Sequence, residues 1–420
     1  MKEIVLFDYP NNLDYIFDKL NKNGIKSIIV GGYIRDKFLN LNSKDIDIEL
    51  FGVTSYAKLE KILQEFGEVN TVGKSFGVCK LSLKTLDLDF TLPRRDNKIG
   101  SGHCGFEITV DNNLDFKTAS SRRDFTMNAI GFDLMEKKIL DPFNGQEDIK
   151  NKILRAVNID TFSEDPLRVL RAVGFASRFD FTLEHSLFVL CKEMCEKNLL
   201  DELAKERIYT ELEKILLKSK KPSSAFSLLK KLKALVHFPP LERLENKDFS
   251  NVLESLDKMA ALKTKNKKTN MQLMLSVLCY KFTKETRHDF ITNLTNDKKT
   301  LNYIDTLLDN SFSTAYTDSD ILRLATKVNI EHFLLFSQAI HKEIAKDVFV
   351  KLKQRAIGLN VLNQKPKAYL QGKDILDLGL EPSKEFSVLL KSAYEAQINL
   401  EINSKDEALQ WLKKEVKNSL

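Results

Sequence analysis

The chain has 420 residues, of which 43% are hydrophobic and 30% charged, and its 65 Lys and Arg against 59 Asp and Glu leave a net charge of +6. That length excludes a single small domain and predicts two to four compact units, with enough apolar residues to build cores without disulfides or a structural metal. There is no run of about 18 apolar residues, and residues 1–10 lack a signal-peptide pattern, so the sequence predicts no membrane-spanning helix and a cytoplasmic location.

Twelve of the 16 glycines precede residue 156, together with short alternating apolar runs, so the N-terminal part reads as α+β. In chain order the pattern predicts a helix near Leu13–Leu20, a strand at Lys26–Val30, a helix at Tyr33–Leu39, a strand at Asp45–Phe51 and a helix near Ser55–Phe66. Strands follow at Val78–Leu83, Asp87–Leu92 and Ala129–Asp133, and the polar, Gly-rich stretch Thr91–His103 reads as a mobile loop. Beyond Arg155 the strand pattern disappears. From Pro166 apolar residues recur at three and four, as in Leu167, Leu170 and Phe175 and again in Ile208, Leu212 and Ile215, so this half is expected to be helical throughout. Pro222, Pro239-Pro240, Pro366 and Pro382 punctuate it. The expected organisation is a head over 1–150, a helical neck over 151–235, and a helical body and tail over 236–420. The five cysteines (Cys79, Cys104, Cys191, Cys195, Cys279) show no C-x-x-C spacing and read as reduced thiols.

The chemistry concentrates in three places. Ile28-Ile-Val-Gly31-Gly32 is a strand that ends in glycines and opens a helix, which lets backbone N–H groups approach a triphosphate, with Arg35 placed for phosphate contact. Asp45-Ile-Asp47 then alternates along a strand, so both carboxylates share a face about 7 Å apart and suit Mg2+, which takes oxygen ligands and keeps positions for water or phosphate. Asp89 or Asp87, on the next alternating strand, supplies a third carboxylate. A D-x-D pair alone is usually a charged strand edge; the Gly-Gly turn and Arg35-Asp36 upstream are what favour a site. Further on, Arg122 and Arg123 can neutralise phosphate charge, whereas Asp124 and Asn128 read equally as local caps. In Glu164-Asp-Pro-Leu-Arg-Val-Leu-Arg171, proline in the first helical turn puts Asp165 at the helix start and Arg168 one turn on, on the same side. The carboxylate can accept from the amino group of cytosine or adenine while the guanidinium donates to ring acceptors; guanine or uracil would leave the carboxylate unpaired. The plainer reading is a helix cap with a salt bridge.

Val30-Gly-Gly-Tyr-Ile-Arg-Asp36 with Asp45-x-Asp47, Ser121–Ala129, Glu164–Arg171 and Glu206-Arg-Ile-Tyr-Thr-Glu-Leu212 resemble, in this order, the motifs of the class II CCA-adding tRNA nucleotidyltransferase and bacterial poly(A) polymerase family. The resemblance covers about the first 220 residues and implies a polymerase-β-like head with a mixed sheet, followed by an all-helical neck, body and tail. It implies catalytic Asp45, Asp47 and Asp89, with Mg2+ on Asp45 and Asp47, and nucleotide binding by Gly31, Gly32, Arg35, Arg123, Asp165, Arg168 and Arg171. It also implies CTP and ATP as substrates, tRNA as the acceptor held by the body and tail, and a switch from CTP to ATP by the segment around Arg94–Gly102. Two departures stand out: Gly174 replaces an arginine common in the family, so a contact is absent or moved to Arg178, and Phe38-Leu-Asn-Leu-Asn42 replaces the usual Leu-Leu-Gly. Val72–Cys79 lacks the basic stretch of the poly(A) polymerases, and no basic extension follows Asn418. The expectation is therefore CCA addition, with poly(A), CC-only or A-only addition as alternatives. His288-Asp289 raises a His-Asp phosphohydrolase, but the spaced His and Asp ligands of such a site are missing.

Overall fold

The structure is a computed structural model that describes residues 9–43, 45–70, 78–83, 86–98, 106–112, 114–378 and 384–419. The chain forms two compact units, 1–242 and 243–420. The stretches 1–150 and 151–235, read separately in the sequence, both lie in the first.

Among the described residues the strands that organise the head are β1 (Lys26–Val30), β2 (Ile46–Phe51), β3 (Glu68–Asn70), β4 (Val78–Ser82), β5 (Asp87–Thr91), β6 (Arg94–Lys98), β7 (Phe106–Val110), β8 (Gly131–Asp133) and β9 (Lys138–Leu140). Seven make one sheet in the order β3-β4-β5-β2-β1-β8-β9. Within it only β2 and β5 run parallel, so the sheet is mixed, as expected. A parallel pair needs a crossover, and here it consists of a helix and the β3–β4 pair. The helices of this unit that carry the argument are α1 (Asp14–Lys22), α2 (Gly32–Phe38), α3 (Tyr56–Gln64), α4 (Phe116–Ser120), α5 (Gly145–Lys150), α6 (Leu167–Phe179), α7 (His185–Glu196), α8 (Lys205–Lys218) and α9 (Pro222–Lys231).

Alternation along β2 decides what the sheet can do. Ile46, Ile48 and Leu50 are buried on one face, where each contributes roughly 1.5–3 kcal/mol by leaving water. Asp45, Asp47 and Glu49 point to the other. The interior strand β1, next to β2, buries Ile28, Ile29 and Val30, and α1 and α3 add Ile16, Phe17, Leu20, Leu59, Ile62 and Leu63 to the core. Ser55 caps α3, its hydroxyl accepting from the Lys58 N–H.

The expected strands and helices of the head all form, with ends shifted by a residue or two. Three features differ. Arg94–Lys98, read as part of a loop, is strand β6, paired antiparallel with β7 over five residues; Arg-Arg-Asp-Asn-Lys has no apolar alternation, so pairing alone makes it a strand. The rest of that stretch, residues 99–105, lies outside the described residues. The strands β3 and β9 span three residues each, too few to carry a period. Finally, β10 (Ile153–Leu154) and β11 (Thr182–Leu183) form a two-residue parallel ladder, which corrects the expectation of helix alone after Pro166.

The start of α5 presses on the backbone of the Thr126–Asn128 turn, and Thr126 Oγ1 donates to Asp148 Oδ2 at 2.7 Å. A Cβ built on Gly145 would stand 2.3 Å from the carbonyl oxygen of Thr126 and 2.8 Å from Ile130 Cγ1. Gly145→Ala is therefore expected to destabilise the first unit by about 3 kcal/mol, since the obstacle is backbone rather than a yielding side chain. Thermal melting followed by circular dichroism checks this; a melting temperature within a degree of the parent would show that α5 can retreat.

In the second unit the described secondary structure is helical. Helix Lys267–Cys279 lies at its centre: every residue from Met271 to Cys279 is buried, and helices Asn246–Ala261, Lys298–Leu308 and Ile330–Ile340 pack on it. The buried Arg287 donates through Nε to Asp305 at 2.6 Å and through Nη2 to Asp309 at 2.7 Å, tying helix Lys284–Leu294 to Lys298–Leu308. A separate cluster of Leu370, Ile375, Ala393, Ala396, Ile402 and Leu412 closes the C-terminal helices. Among the described residues no helix is long and apolar enough to cross a membrane.

Candidate active site

Register gathers the acidic residues. In the antiparallel β1–β2 ladder Val30 faces Asp47 and Ile28 faces Glu49, and in the parallel β2–β5 ladder Asp47 faces Asp89. Paired residues share a face, so Asp47, Glu49 and Asp89 form one acidic surface, with Asp45 exposed just ahead of β2. Burial raises the Asp47 carboxyl above its ordinary value; Arg123 opposes this, and the charges of Asp89 and Asp45 add to it. Lys80, opposite Asp89 on β4, pairs with Asp87 at 3.2 Å and lies 3.9 Å from Asp89.

Gly31 sits directly above this surface. Its φ of +71° belongs to the left-handed region, and a Cβ there would stand 3.1 Å from Arg123 Nη1 and 3.5 Å from Asp47 Oδ2. The backbone conformation thus favours glycine, and a side chain there would also push the Arg123 guanidinium back by a few tenths of an ångström. Arg123 itself is largely withdrawn from water, and burial lowers its guanidinium pKa while the neighbouring Glu49 pulls it up.

Arg35, aimed at phosphate in the sequence reading, is turned inward. Its Nε and Nη2 donate to Asp36 Oδ1 at 2.8 and 2.6 Å, and its Nη1 donates to Asn128 Oδ1 at 2.7 Å. It lies over the rings of Phe175 and Phe179 at 5.2 and 5.0 Å, Arg171 lies over Phe175 at 5.3 Å, and Arg178 over Phe179 at 4.6 Å. Cations and rings thus alternate between α2 and α6. Gly174 leaves room in this layer: a Cβ there would meet only Ile215, at 3.4 Å. The cavity beside it, about 160 Å³, is bordered by Arg35, Arg171, Arg178, Lys214, Lys218 and Glu211. Arg178 Nη2 stands 3.6 Å from Asp36 Oδ2.

Asp124, which the sequence left between ligand contact and cap, is a hub. It accepts from Arg171 Nε and Nη2 at 2.8 and 2.6 Å, from Asn128 Nδ2 at 2.9 Å, and from the N–H of Phe125 at 2.9 Å. Asp165 and Arg168 both lie at the start of α6, where the Arg168 N–H donates to the Asp165 carbonyl at 3.0 Å and their side chains take other partners. Asp165 accepts from the Leu167 N–H at 3.2 Å and from Arg207 Nη2 at 3.0 and 3.2 Å. Arg168 donates to the carbonyls of Thr161 and Arg122 at 3.0 and 3.1 Å. Each is thereby oriented, with acceptor or donor capacity to spare.

Sequence reasoning did not single out Glu49, Arg207 or the two phenylalanines. Glu49 was legible as the next member of the Asp45–Asp47 alternation; Arg207 on α8 had no local signal linking it to Asp165. His288 and Asp289 are both exposed, 3.7 Å apart. Among the described residues no three His, Cys, Asp or Glu side chains come close enough to hold a metal by themselves. An aspartate pair still fits Mg2+, which binds through one or two carboxylates and completes its shell with water and phosphate. The mutual repulsion felt at Asp47 is what a cation would relieve.

Residues 27–155 match the family described as "Poly A polymerase head domain", and residues 180–244 match "Probable RNA and SrmB- binding site of polymerase A". A multifunctional CCA protein of Haemophilus ducreyi is 36% identical over 220 residues, covering 51% of this chain and 51% of the relative. A CCA-adding enzyme of Coxiella burnetii is 34% identical over 235 residues, covering 56% of this chain and 60% of the relative. The chain thus spans about half, or a little more, of the length of the curated relatives it matches. Among solved structures, the Bacillus stearothermophilus CCA-adding enzyme in complex with CTP superposes with a TM-score of 0.75 at 22% identity, over 98% of this chain and 99% of that one. The Thermotoga maritima CCA-adding enzyme complexed with tRNA gives 0.65 at 19% identity, over 98% and 97%. The fold of these solved structures is shared along the chain, and residues 27–155 and 180–244 carry the two domains that the poly(A) polymerase family models describe, each similar to the corresponding part of CCA-adding relatives.

Proposed function

We propose that the protein is a template-independent RNA nucleotidyltransferase that adds CCA, from CTP and ATP, to the 3′ end of tRNA. The observation that carries this reading is the Asp47 carboxylate and the Arg123 guanidinium converging on the left-handed turn at Gly31. Anion-binding and cation-binding groups then meet where a triphosphate can lie against glycine backbone. The 3′ hydroxyl of the RNA attacks the α-phosphate, the new phosphodiester bond forms as the α–β bond breaks, and pyrophosphate leaves. Mg2+ held by Asp45 and Asp47 would lower the pKa of the attacking hydroxyl and neutralise charge on the phosphates. Asp89 completes the acidic face beside them. Gly31 and Gly32 admit the triphosphate and Arg123 balances its charge, while Arg35, held by Asp36 and Asn128, and Arg171, held by Asp124, support the site from behind. Asp165 and Arg168 read the base edge. In this reading 1–150 is the catalytic head, 151–235 the base-reading neck, and 236–420 holds tRNA by its phosphates and riboses.

The experiment supplies tRNA ending at the discriminator base, with CTP and ATP separately and together. CTP alone is expected to add two residues, and the pair to add three. A long tail from ATP alone would identify a poly(A) polymerase instead. In the same assay Asp165→Ala is expected to relax discrimination against UTP and GTP by about 1–3 kcal/mol, the worth of a charge-assisted hydrogen bond. An unchanged preference for CTP and ATP would reduce Asp165 to a cap for Leu167 and a partner for Arg207.

A further inference from the structure

Glu49 is fully buried on β2, two residues past Asp47 and on the same face. A carboxylate withdrawn from water is costly unless cations answer it. Two do: Arg122 Nη2 donates to Oε1 at 3.2 Å, and Arg123 Nη2 stands 3.6 Å from Oε2. These arginines are neighbours in the chain and repel each other, so the anion between them holds both in place. The other arm of the Arg123 guanidinium, Nη1, is the group that closes on Gly31 beside Asp47 Oδ2. One guanidinium therefore spans from Glu49 at its inner end to the floor of the site at its outer end.

We infer that Glu49 is a positioning residue for nucleotide transfer: it anchors Arg123 so that the guanidinium meets the triphosphate already oriented and is kept from closing onto Asp47. Without Glu49 the strongest remaining attraction on Arg123 is Asp47, a carboxylate the reaction needs for another purpose. This rests on the proposed contact between Arg123 and the nucleotide.

A double-mutant cycle on the full chain tests it, with Glu49→Gln, Arg123→Ala and the pair. The dissociation constant for CTP is measured by calorimetry and KM and kcat by single-nucleotide addition, with melting recorded for each variant. Glu49→Gln is expected to weaken CTP binding about tenfold in the parent and less than about twofold in the Arg123→Ala background, since a residue acting through a partner loses its effect when the partner is gone. Equal weakening in both backgrounds, or none in the parent, overturns the inference while leaving Arg123 as a nucleotide contact. Normal CTP binding by Arg123→Ala alone overturns that contact, and the inference with it. If Glu49→Gln does not fold, Glu49→Asp, which keeps the charge but shortens its reach, enters the same cycle with the same expected pattern.

Discussion

Asp47→Ala is expected to lower the rate of nucleotide addition by about a thousandfold or more, because phosphoryl transfer depends almost wholly on positioning and charge neutralisation. Stability should move the other way or not at all. Burial and the charges of Asp89 and Asp45 hold the Asp47 carboxyl above its ordinary value in the fold, so its ionised form costs folding free energy at neutral pH. Alanine removes that cost. Loss of activity at an unchanged or raised melting temperature would mark a side chain kept for function against stability. Single-turnover addition of CTP, with melting recorded alongside, reads both. Near-parental turnover would remove Asp47 from the catalytic set, and a large fall in melting temperature would make the lost activity a folding effect.

Asp124→Ala is expected to be the most damaging of these substitutions to the fold. Its carboxylate is 9% exposed and answers Arg171, Asn128 and the Phe125 N–H at once. Its loss leaves Arg171 with the weaker pull of Glu211, 3.6 Å away, and of Asp165, and returns the Asn128 amide without an acceptor while Arg35 still leans on that residue. Breaking such a buried network costs about 3 kcal/mol or more, which for a unit of this size lowers the melting temperature by roughly 6–12 °C. The pH dependence follows. Burial acts to raise the Asp124 carboxyl, but Arg171 and the hydrogen bonds outweigh it, leaving the carboxyl below its ordinary value. A depressed carboxyl contributes stability that is complete above the unfolded value, about 3.9, and is lost as pH falls through the lower folded value. Parent minus Asp124→Asn should therefore show a stability difference that shrinks below about pH 4, which acid titration of urea melts would measure. A difference independent of pH would mean that the carboxylate charge is not what holds Arg171.

Residues 9–242 show where local signals suffice. The positions of β1, β2 and β5 follow from apolar alternation, the turn at Gly31 from a glycine pair after a strand, and the Asp45–Asp47 surface from a period of two; each is set within a few residues. The start of α6, with Asp165 and Arg168 one turn apart, is legible for the same reason. The tertiary structure decided which partners these side chains take. Parallel pairing of β2 with β5 places Asp89, rather than Asp87, beside Asp47, and no period within either strand encodes that register. Arg35 turns to Asn128, 93 residues away, and Arg207 reaches Asp165 across 42, so phosphate contact and internal support could not be told apart from the motifs. Glu49 looked like one more charge on a strand until Arg122 and Arg123 were seen closing over it. An ion pair depends on distance in space, and for these residues that distance is set by how strands and helices far apart in the chain come together.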